Sequence, residues 1–202
     1  IKESLNGRRA MDNSGQTKGI ARNNYLIGGM NMANLFAWAS IGENGKAVGG
    51  KRGDQTGREV KVGPYYNFGQ DKCIRFRNVL RGRKMSKVAK ILANDNSAGY
   101  NQYDRVSLFN ACKSYNWNFE KIKKAIKDGT FPKCNTDCSQ FYATCVNIVY
   151  GKEKLASDCT TRNLVPRCTV TNKANFKLTK NFPPKKWQKG DAPIKEGKHI
   201  II

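Results

Sequence analysis

The sequence predicts an α+β fold in which helices pack on one side of a small antiparallel sheet. Apolar residues recur at helical spacing in the middle of the chain, and short apolar segments of strand character lie near its end. The chain has 202 residues, of which 39% are hydrophobic and 10% aromatic, so it is long enough to bury one core.

Four helices are predicted from the apolar spacing. The first lies within residues 84–94 and the second within residues 103–115, where apolar side chains return every three or four positions. The third covers residues 119–126, with Asn118 placed to cap its start and Gly129 to end it. Each helix would bury one apolar face against the sheet or a neighbouring helix.

The fourth predicted helix covers residues 138–149, with Asp137 at its start and Gly151 just past its end. Residues 152–186 are irregular in pattern and predict loops and short strands. The last stretch predicts two short strands, at 187–192 and 199–202, joined by a turn around Glu196 and Gly197.

Residues 1–31 are rich in Gly, Asn, Arg and Lys and have no apolar period, which indicates an N-terminal extension or linker. The domain is predicted to cover residues 32–202, and because its last strand ends with the chain we expect it to be cut short there. There is no apolar signal peptide and no run of about 18 apolar residues, so we expect a soluble protein without a transmembrane segment.

The charge predicts an anionic partner. The chain carries 37 Lys and Arg against 15 Asp and Glu, a formal net charge of +22. Nucleic acids, teichoic acids and cell-wall carboxylates would all attract it by the same Coulomb interaction. The basic residues are spread without interleaved aromatic residues, so we expect no sequence-specific nucleic-acid binding.

The cysteines number seven, an odd count that leaves at least one thiol unpaired in a monomer. They could form three bridges in an oxidising compartment or serve as small buried hydrophobic residues, and the missing signal peptide favours the second. No Cys-x-x-Cys pair occurs and His199 is the one histidine, so we expect no zinc site and no cofactor.

Cys138 and His199 are the candidate nucleophile and general base. Cys138 opens a predicted helix, where free backbone N–H groups and the helix dipole favour a thiolate, so we expect a lowered pKa and an exposed sulfur. His199 is the one natural base, and we expect it within hydrogen-bond reach of the thiol. On these two residues alone, a buried structural thiol and a surface histidine are the favoured interpretation.

A set of short segments favours the catalytic interpretation of Cys138 and His199 instead. The chain resembles phage cell-wall hydrolases of the NlpC/CHAP group of papain-like peptidoglycan cysteine peptidases and amidases. The resemblance covers about residues 32–202 and rests on an ordered set of matching segments, at residues 37–39, 53–60, 65–67, 78–81, 99–102, 134–139, 189–191 and 197–199. Single segments are weak signals, but an Asp-Cys-Ser helix start followed by Lys-Gly-Asp and a late His is the catalytic order of the group.

The resemblance implies a papain-like NlpC/CHAP fold, with Cys138 as nucleophile and His199 as base in the hydrolysis of a peptidoglycan amide bond. In the group a polar residue on the next strand orients the histidine, whereas here the chain ends three residues after it, and Lys198 stands where the group usually has Gly. Tyr100 and Gln102 lie where related enzymes carry an oxyanion-stabilising side chain, although a helix-capping turn is the favoured alternative.

Asp54 and Gln55 are possible substrate contacts, although a tight loop between flanking glycines explains them equally well. The resemblance implies a phage endolysin or a virion-associated lysin, located in the virion tail or in the host cytoplasm before release to the wall. Its partners would be peptidoglycan, anionic wall polymers and, through residues 1–31, other virion proteins. Two alternatives stay open, a catalytically silent wall-binding or virion structural module and a basic nucleic-acid-binding protein.

Overall fold

A computed structural model describes residues 35–180 and 183–202. The extension predicted for residues 1–31 lies outside this part of the chain. The described part is mixed α+β, as predicted. Its strands are β1 (Leu35–Ala39), β2 (Val60–Pro64), β3 (Lys72–Phe76), β4 (Ala98–Tyr100), β5 (Cys134–Thr136), β6 (Phe176–Lys180), β7 (Ala192–Lys195) and β8 (His199–Ile200).

The described part also contains five helices and two short helical turns. They are α1 (Val79–Ala93), α2 (Ser107–Ser114), α3 (Phe119–Lys127), α4 (Cys138–Tyr150) and the short α5 (Leu164–Pro166), with a π-helical turn at Arg167–Thr171 and a 3-10 turn at Pro184–Lys186. Helix α4 is the central element, because all but its last residue are buried. It packs against α1, α2, β1 and β8.

The main sheet is antiparallel and has the strand order β6-β3-β7-β8. The β1-β2 hairpin continues it, because Ala37 and Ile202, the residue two past β8, exchange backbone N–H···O bonds of 2.8 and 3.0 Å. Reciprocal bonds of this kind are those of an antiparallel pair. The antiparallel sheet is as predicted, and β4 and β5 form a separate two-stranded sheet in which they pair in parallel.

Alternation along the strands divides the apolar residues between the two faces of the sheet. In β1, Ala37 and Ala39 belong to the main core under α1 and α4, while Phe36 and Trp38 point the other way. After β8, Ile201 lies on that opposite face. We call this smaller group the aromatic cluster, formed by Phe36, Trp38 and Ile201 with Tyr65, Phe68 and Trp187 packed against them.

The capped helices match their predictions closely. The Asn118 side chain accepts from Lys121 N at 3.0 Å and begins α3, and the Asp137 side chain accepts from Gln140 N at 2.7 Å and begins α4. Gly151 ends α4 in the left-handed conformation, with φ of 65°. The prediction for α1 began five residues late, because Val79 and Leu80 in its first turn are exposed and break the apolar pattern.

The strand predicted at 187–192 was wrong. Residues 188–191 form a turn in which Gly190 has φ of +83° and the backbone N–H of Gln188 donates to the Asp191 carboxylate at 2.7 Å, so the strand begins only at Ala192. A second difference lies within 152–186, where α5 and the π-helical turn stand in place of a loop. The turn at Gly197 was predicted correctly, and its φ is +73°.

Candidate active site

Cys138 is the first residue of α4, and its side chain is buried, with 7% of its surface exposed. The backbone N–H groups of Ile200, Ser139 and Cys138 itself lie near the sulfur and favour its thiolate. Two of these N–H groups belong to the free first turn of the helix and the third to β8. The helix start predicted for the nucleophile is therefore present.

The expected lowering of the thiol pKa and the exposed sulfur were wrong. Burial, followed by the charge of the neighbouring Asp137 carboxylate, raises the pKa of Cys138 to about 12. The N–H groups act in the opposite direction but do not offset the desolvation, because removing a thiolate from water costs more than a few dipoles return. In the free protein Cys138 is a neutral thiol.

A polar network fixes the start of α4. Asp137 accepts hydrogen bonds of 2.7 Å from Gln140 N and from the Ser139 hydroxyl, and it forms an ion pair of 3.1 Å with Arg105. Arg105 also donates to the Ser139 hydroxyl at 3.2 Å and to the Cys159 carbonyl. No sequence motif points to Arg105, because its partners Asp137, Ser139 and Cys159 lie more than thirty positions further along the chain.

His199 begins β8, where it pairs with Lys195. Its ring lies 5.2 Å from the ring of Phe68 in an edge-on arrangement and 6.2 Å from the ring of Tyr66. Its Nε2 is buried without a hydrogen-bond partner in the described part of the chain. Burial lowers the pKa of His199 to about 4, so the imidazole is neutral at pH 7.

The two candidates contact different groups of residues around β8. Cys138 and Ile200 belong to the main core, whereas His199 contacts Phe68, which packs against the aromatic cluster. Within residues 35–180 and 183–202, no hydrogen bond joins the Cys138 sulfur to the His199 ring. Their direct contact stays a prediction.

Tyr66 is close to both candidates, a role that the sequence did not reveal although its segment belongs to the matching set. Its ring lies beside His199 and edge-on to Trp38 at 5.2 Å. Burial, followed by the charge of Cys138, raises the pKa of Tyr66 to about 12. Since 38% of Tyr66 is exposed, it borders both the site and the solvent.

Tyr100 also lies near Cys138. It ends β4 and is buried, and burial followed by the Cys138 charge raises its pKa to about 12. Gln102 Nε2 donates to the Tyr100 hydroxyl at 3.2 Å, and the Tyr100 backbone N–H donates to the buried Glu59 carboxylate at 3.0 Å. The structure thus brings this predicted pair together, and their role toward an oxyanion stays a prediction.

Asp54 and Gln55 lie in a loop that they themselves organise. The Asp54 carboxylate accepts from the backbone N–H groups of four residues, Thr56, Arg58, Glu59 and Val60. The Gln55 side chain donates to the carbonyls of Arg52 and Gly53 at 3.1 and 3.0 Å. These bonds give both residues a structural role, and their contact with substrate stays a prediction.

Three further features bear on the chemistry. All seven cysteines are free thiols. Across residues 35–180 and 183–202, no group of three or more His, Cys, Asp or Glu side chains is arranged to hold a metal ion. In the same residues, no helix has the length and apolar character needed to cross a membrane.

Comparison with known families identifies the chain. The protein-family model that describes the endolysin-like domain matches residues 36–202 of the sequence. The chain belongs to the endolysin-like domain family. This membership supports a phage lysin role in the hydrolysis of bacterial cell walls, and it covers the whole α+β domain. No curated protein and no solved structure matches the chain.

Proposed function

We propose that this endolysin-like domain is a peptidoglycan hydrolase of the papain-like NlpC/CHAP type that cleaves an amide bond with Cys138 as nucleophile and His199 as general base. One observation carries the proposal. In a domain of this family, the single histidine begins the strand whose next residue, Ile200, places its N–H near the sulfur of the cysteine that opens the central helix.

The reaction would begin when Cys138 Sγ attacks the carbonyl carbon of a peptidoglycan amide and its proton passes to His199. Collapse of the tetrahedral intermediate forms a thioester, and His199 returns the proton to the leaving amine. Water then attacks the thioester with His199 as base, which releases a carboxylic acid and restores the thiol. One water is consumed and no oxidant or metal is required.

The pKa directions define how the pair would work. Because burial keeps the thiol and the imidazole neutral in the free protein, proton transfer would accompany attack and would not precede it. The N–H groups of Ile200 and Ser139 would stabilise the sulfur as it gains charge. The unpartnered Nε2 of His199 supports this role, because no hydrogen bond within the described residues has to break before the ring turns toward substrate and thiol.

Two tyrosines would assist the reaction, one at the oxyanion and one at the entering substrate. The Tyr100 hydroxyl lies near Cys138 and is held by Gln102, so it can donate to the oxyanion of the tetrahedral intermediate. Tyr66, beside His199 and half exposed, would contact the substrate as it enters. The net charge of +22 would concentrate the protein on peptidoglycan and anionic wall polymers, as expected for an endolysin or a virion-associated lysin.

The test compares two cysteines of α4. Purified dye-labelled peptidoglycan is incubated with the wild type, with Cys138→Ala and with Cys145→Ala, a matched control that removes a buried thiol from the same helix. We expect Cys138→Ala to abolish fragment release and the control to retain it. The products should contain new amino groups without new reducing ends, which separates amide hydrolysis from cleavage of the glycan.

The alternative of a catalytically silent wall-binding or virion structural module predicts a different result. Such a module would bind the same walls but release no fragments, and Cys138→Ala would then behave like the wild type. Release that survives in Cys138→Ala, or new reducing ends in place of amino groups, would overturn the proposed mechanism.

A further inference from the structure

A cavity whose lining includes neither Cys138 nor His199 lies in the described part of the chain. It has a volume of about 530 Å³ and opens between the first turn of α1, the end of β3 and the turn that precedes β7. The side chains that matter for its chemistry are Arg75 and Asp191 and, beside them, Arg83 and Lys189. Three of these four are cationic.

Two glycines hold the walls of this cavity together. A Cβ on Gly190, which has φ of +83°, would overlap the carbonyl oxygen of Gly82 in α1. A Cβ on Gly82 would in turn lie 2.8 Å from the Lys189 carbonyl oxygen. The close approach that only glycine permits fixes the turn against the helix. It therefore sets Arg83 on one wall and Lys189 on the other.

The carboxylate of the cavity is already neutralised. Asp191, whose side chain is 2% exposed, accepts from Arg75 at 2.6 and 2.5 Å and from Gln188 N at 2.7 Å. Arg83 and Lys189 are exposed, and neither forms an ion pair with any residue that the structure describes. The cavity therefore has an excess of positive charge, and the adjacent first turn of α1 contains no acidic residue.

We propose that this cavity binds the phosphodiester of an anionic wall polymer through Arg83 and Lys189. The Arg83 guanidinium can contact two phosphate oxygens at once, and the Lys189 ammonium supplies a second charge from the opposite wall. A nucleic acid is disfavoured, because Phe76, the one aromatic residue of the lining, is 4% exposed and offers no surface on which a base could stack.

The position of the cavity suggests a polymer anchor separate from the reaction site. Asp191 precedes β7, whereas His199 pairs with Lys195 at the other end of that strand. A polymer held by Arg83 and Lys189 would lie at the Asp191 end of β7 and leave the end at which His199 pairs free for peptidoglycan. The inference rests on the wall-directed function proposed above but not on the Cys138 chemistry.

The experiment measures binding in a catalytically dead background. In the full chain carrying Cys138→Ala, a pocket variant with Arg83→Gln and Lys189→Gln is compared with a control carrying Lys87→Gln and Lys90→Gln. The control removes the same charge from exposed positions of α1 outside the cavity. Titration calorimetry uses three probes: a poly(glycerol phosphate) oligomer, inorganic phosphate and a DNA oligomer of equal charge.

We expect the pocket variant to bind the poly(glycerol phosphate) oligomer at least about tenfold more weakly, because two charge-assisted contacts are lost. The control should change less than about threefold, because it alters only screened long-range attraction. DNA binding should weaken equally in both variants. Equal loss of oligomer affinity in both variants, oligomer affinity no higher than that for inorganic phosphate, or a selective loss of DNA binding in the pocket variant would overturn the proposal.

A second measurement separates this inference from the proposed enzyme activity. With Cys138 restored, the pocket variant should release fragments from peptidoglycan stripped of teichoic acid at the wild-type rate. On intact walls it should release fragments more slowly than the wild type. A wild type that releases nothing from either substrate contradicts the enzyme, while the calorimetry still decides the anchor.

Discussion

The two ends of the β7-β8 hairpin differ in whether their buried polar groups have partners among the described residues. At the Asp191 end, the buried carboxylate is fully paired with Arg75 and the Gln188 backbone. At the His199 end, the imidazole has a buried Nε2 with no partner among the described residues, and the nearby Cys138 thiol has a pKa raised by burial.

The difference distinguishes a buried polar group that serves the structure from one that we propose serves the reaction. The ion pair of Arg75 and Asp191 joins β3 to the turn before β7, and removing one partner takes away the opposite charge that the other was buried with. A buried titratable group without a partner costs free energy of folding, so its presence calls for another reason. For His199 we propose that the reason is its role as the base of the proposed reaction.

The largest expected effect concerns His199, at the end of the hairpin where the buried Nε2 has no partner among the described residues. His199→Gln keeps a polar side chain of similar length but removes the base, and we expect the rate of peptidoglycan release to fall by about a thousandfold or more. The unfolding midpoint at pH 7 should stay equal to or above that of the wild type. Release at the wild-type rate would show that His199 is as structural as Asp191.

The next effect concerns the paired end. Asp191→Ala removes the carboxylate that forms the ion pair with the buried Arg75, and we expect the free energy of unfolding in urea to fall by about 3 kcal/mol. Replacing both partners, with Asp191→Ala and Arg75→Met, should recover part of that loss. If the single variant costs less than about 1 kcal/mol, the pair contributes no more than a surface salt bridge does.

A smaller effect tests the proposed oxyanion contact. Tyr100→Phe removes one hydroxyl near Cys138 and its bond from Gln102, and we expect kcat to fall about tenfold with KM little changed. Tyr103→Phe is the matched control, since that tyrosine is 85% exposed. Equal effects of the two variants would remove Tyr100 from the mechanism.

The smallest effect is a pH dependence of stability. Burial lowers the pKa of His199 from 6.5 to about 4, so below pH 6.5 the unfolded chain binds a proton that the folded chain does not bind until about pH 4. Stability should therefore decrease as the pH falls from 6.5 to 4. The loss of Tm from pH 7 to pH 5 should be larger for the wild type than for His199→Gln, and equal losses would mean that the ring is not buried in solution.

The sequence by itself determined the local features of this protein. Helix α4 could be predicted with its Asp137 cap and its Gly151 end, because caps are made by residues three or four positions away and by backbone conformation. The same reasoning located Cys138 in the first turn of that helix. Charge and composition likewise predicted an anionic partner, since they do not depend on the fold.

The tertiary structure alone decided the features that depend on distant partners. The sheet is continuous because Ala37 meets Ile202, and the strand before Asp191 became a turn because its carboxylate is held by Arg75. The expected thiolate at Cys138 was wrong for the same kind of reason. A helix start favours the charged sulfur locally, but the desolvation that outweighs it comes from residues that only the folded chain brings around it.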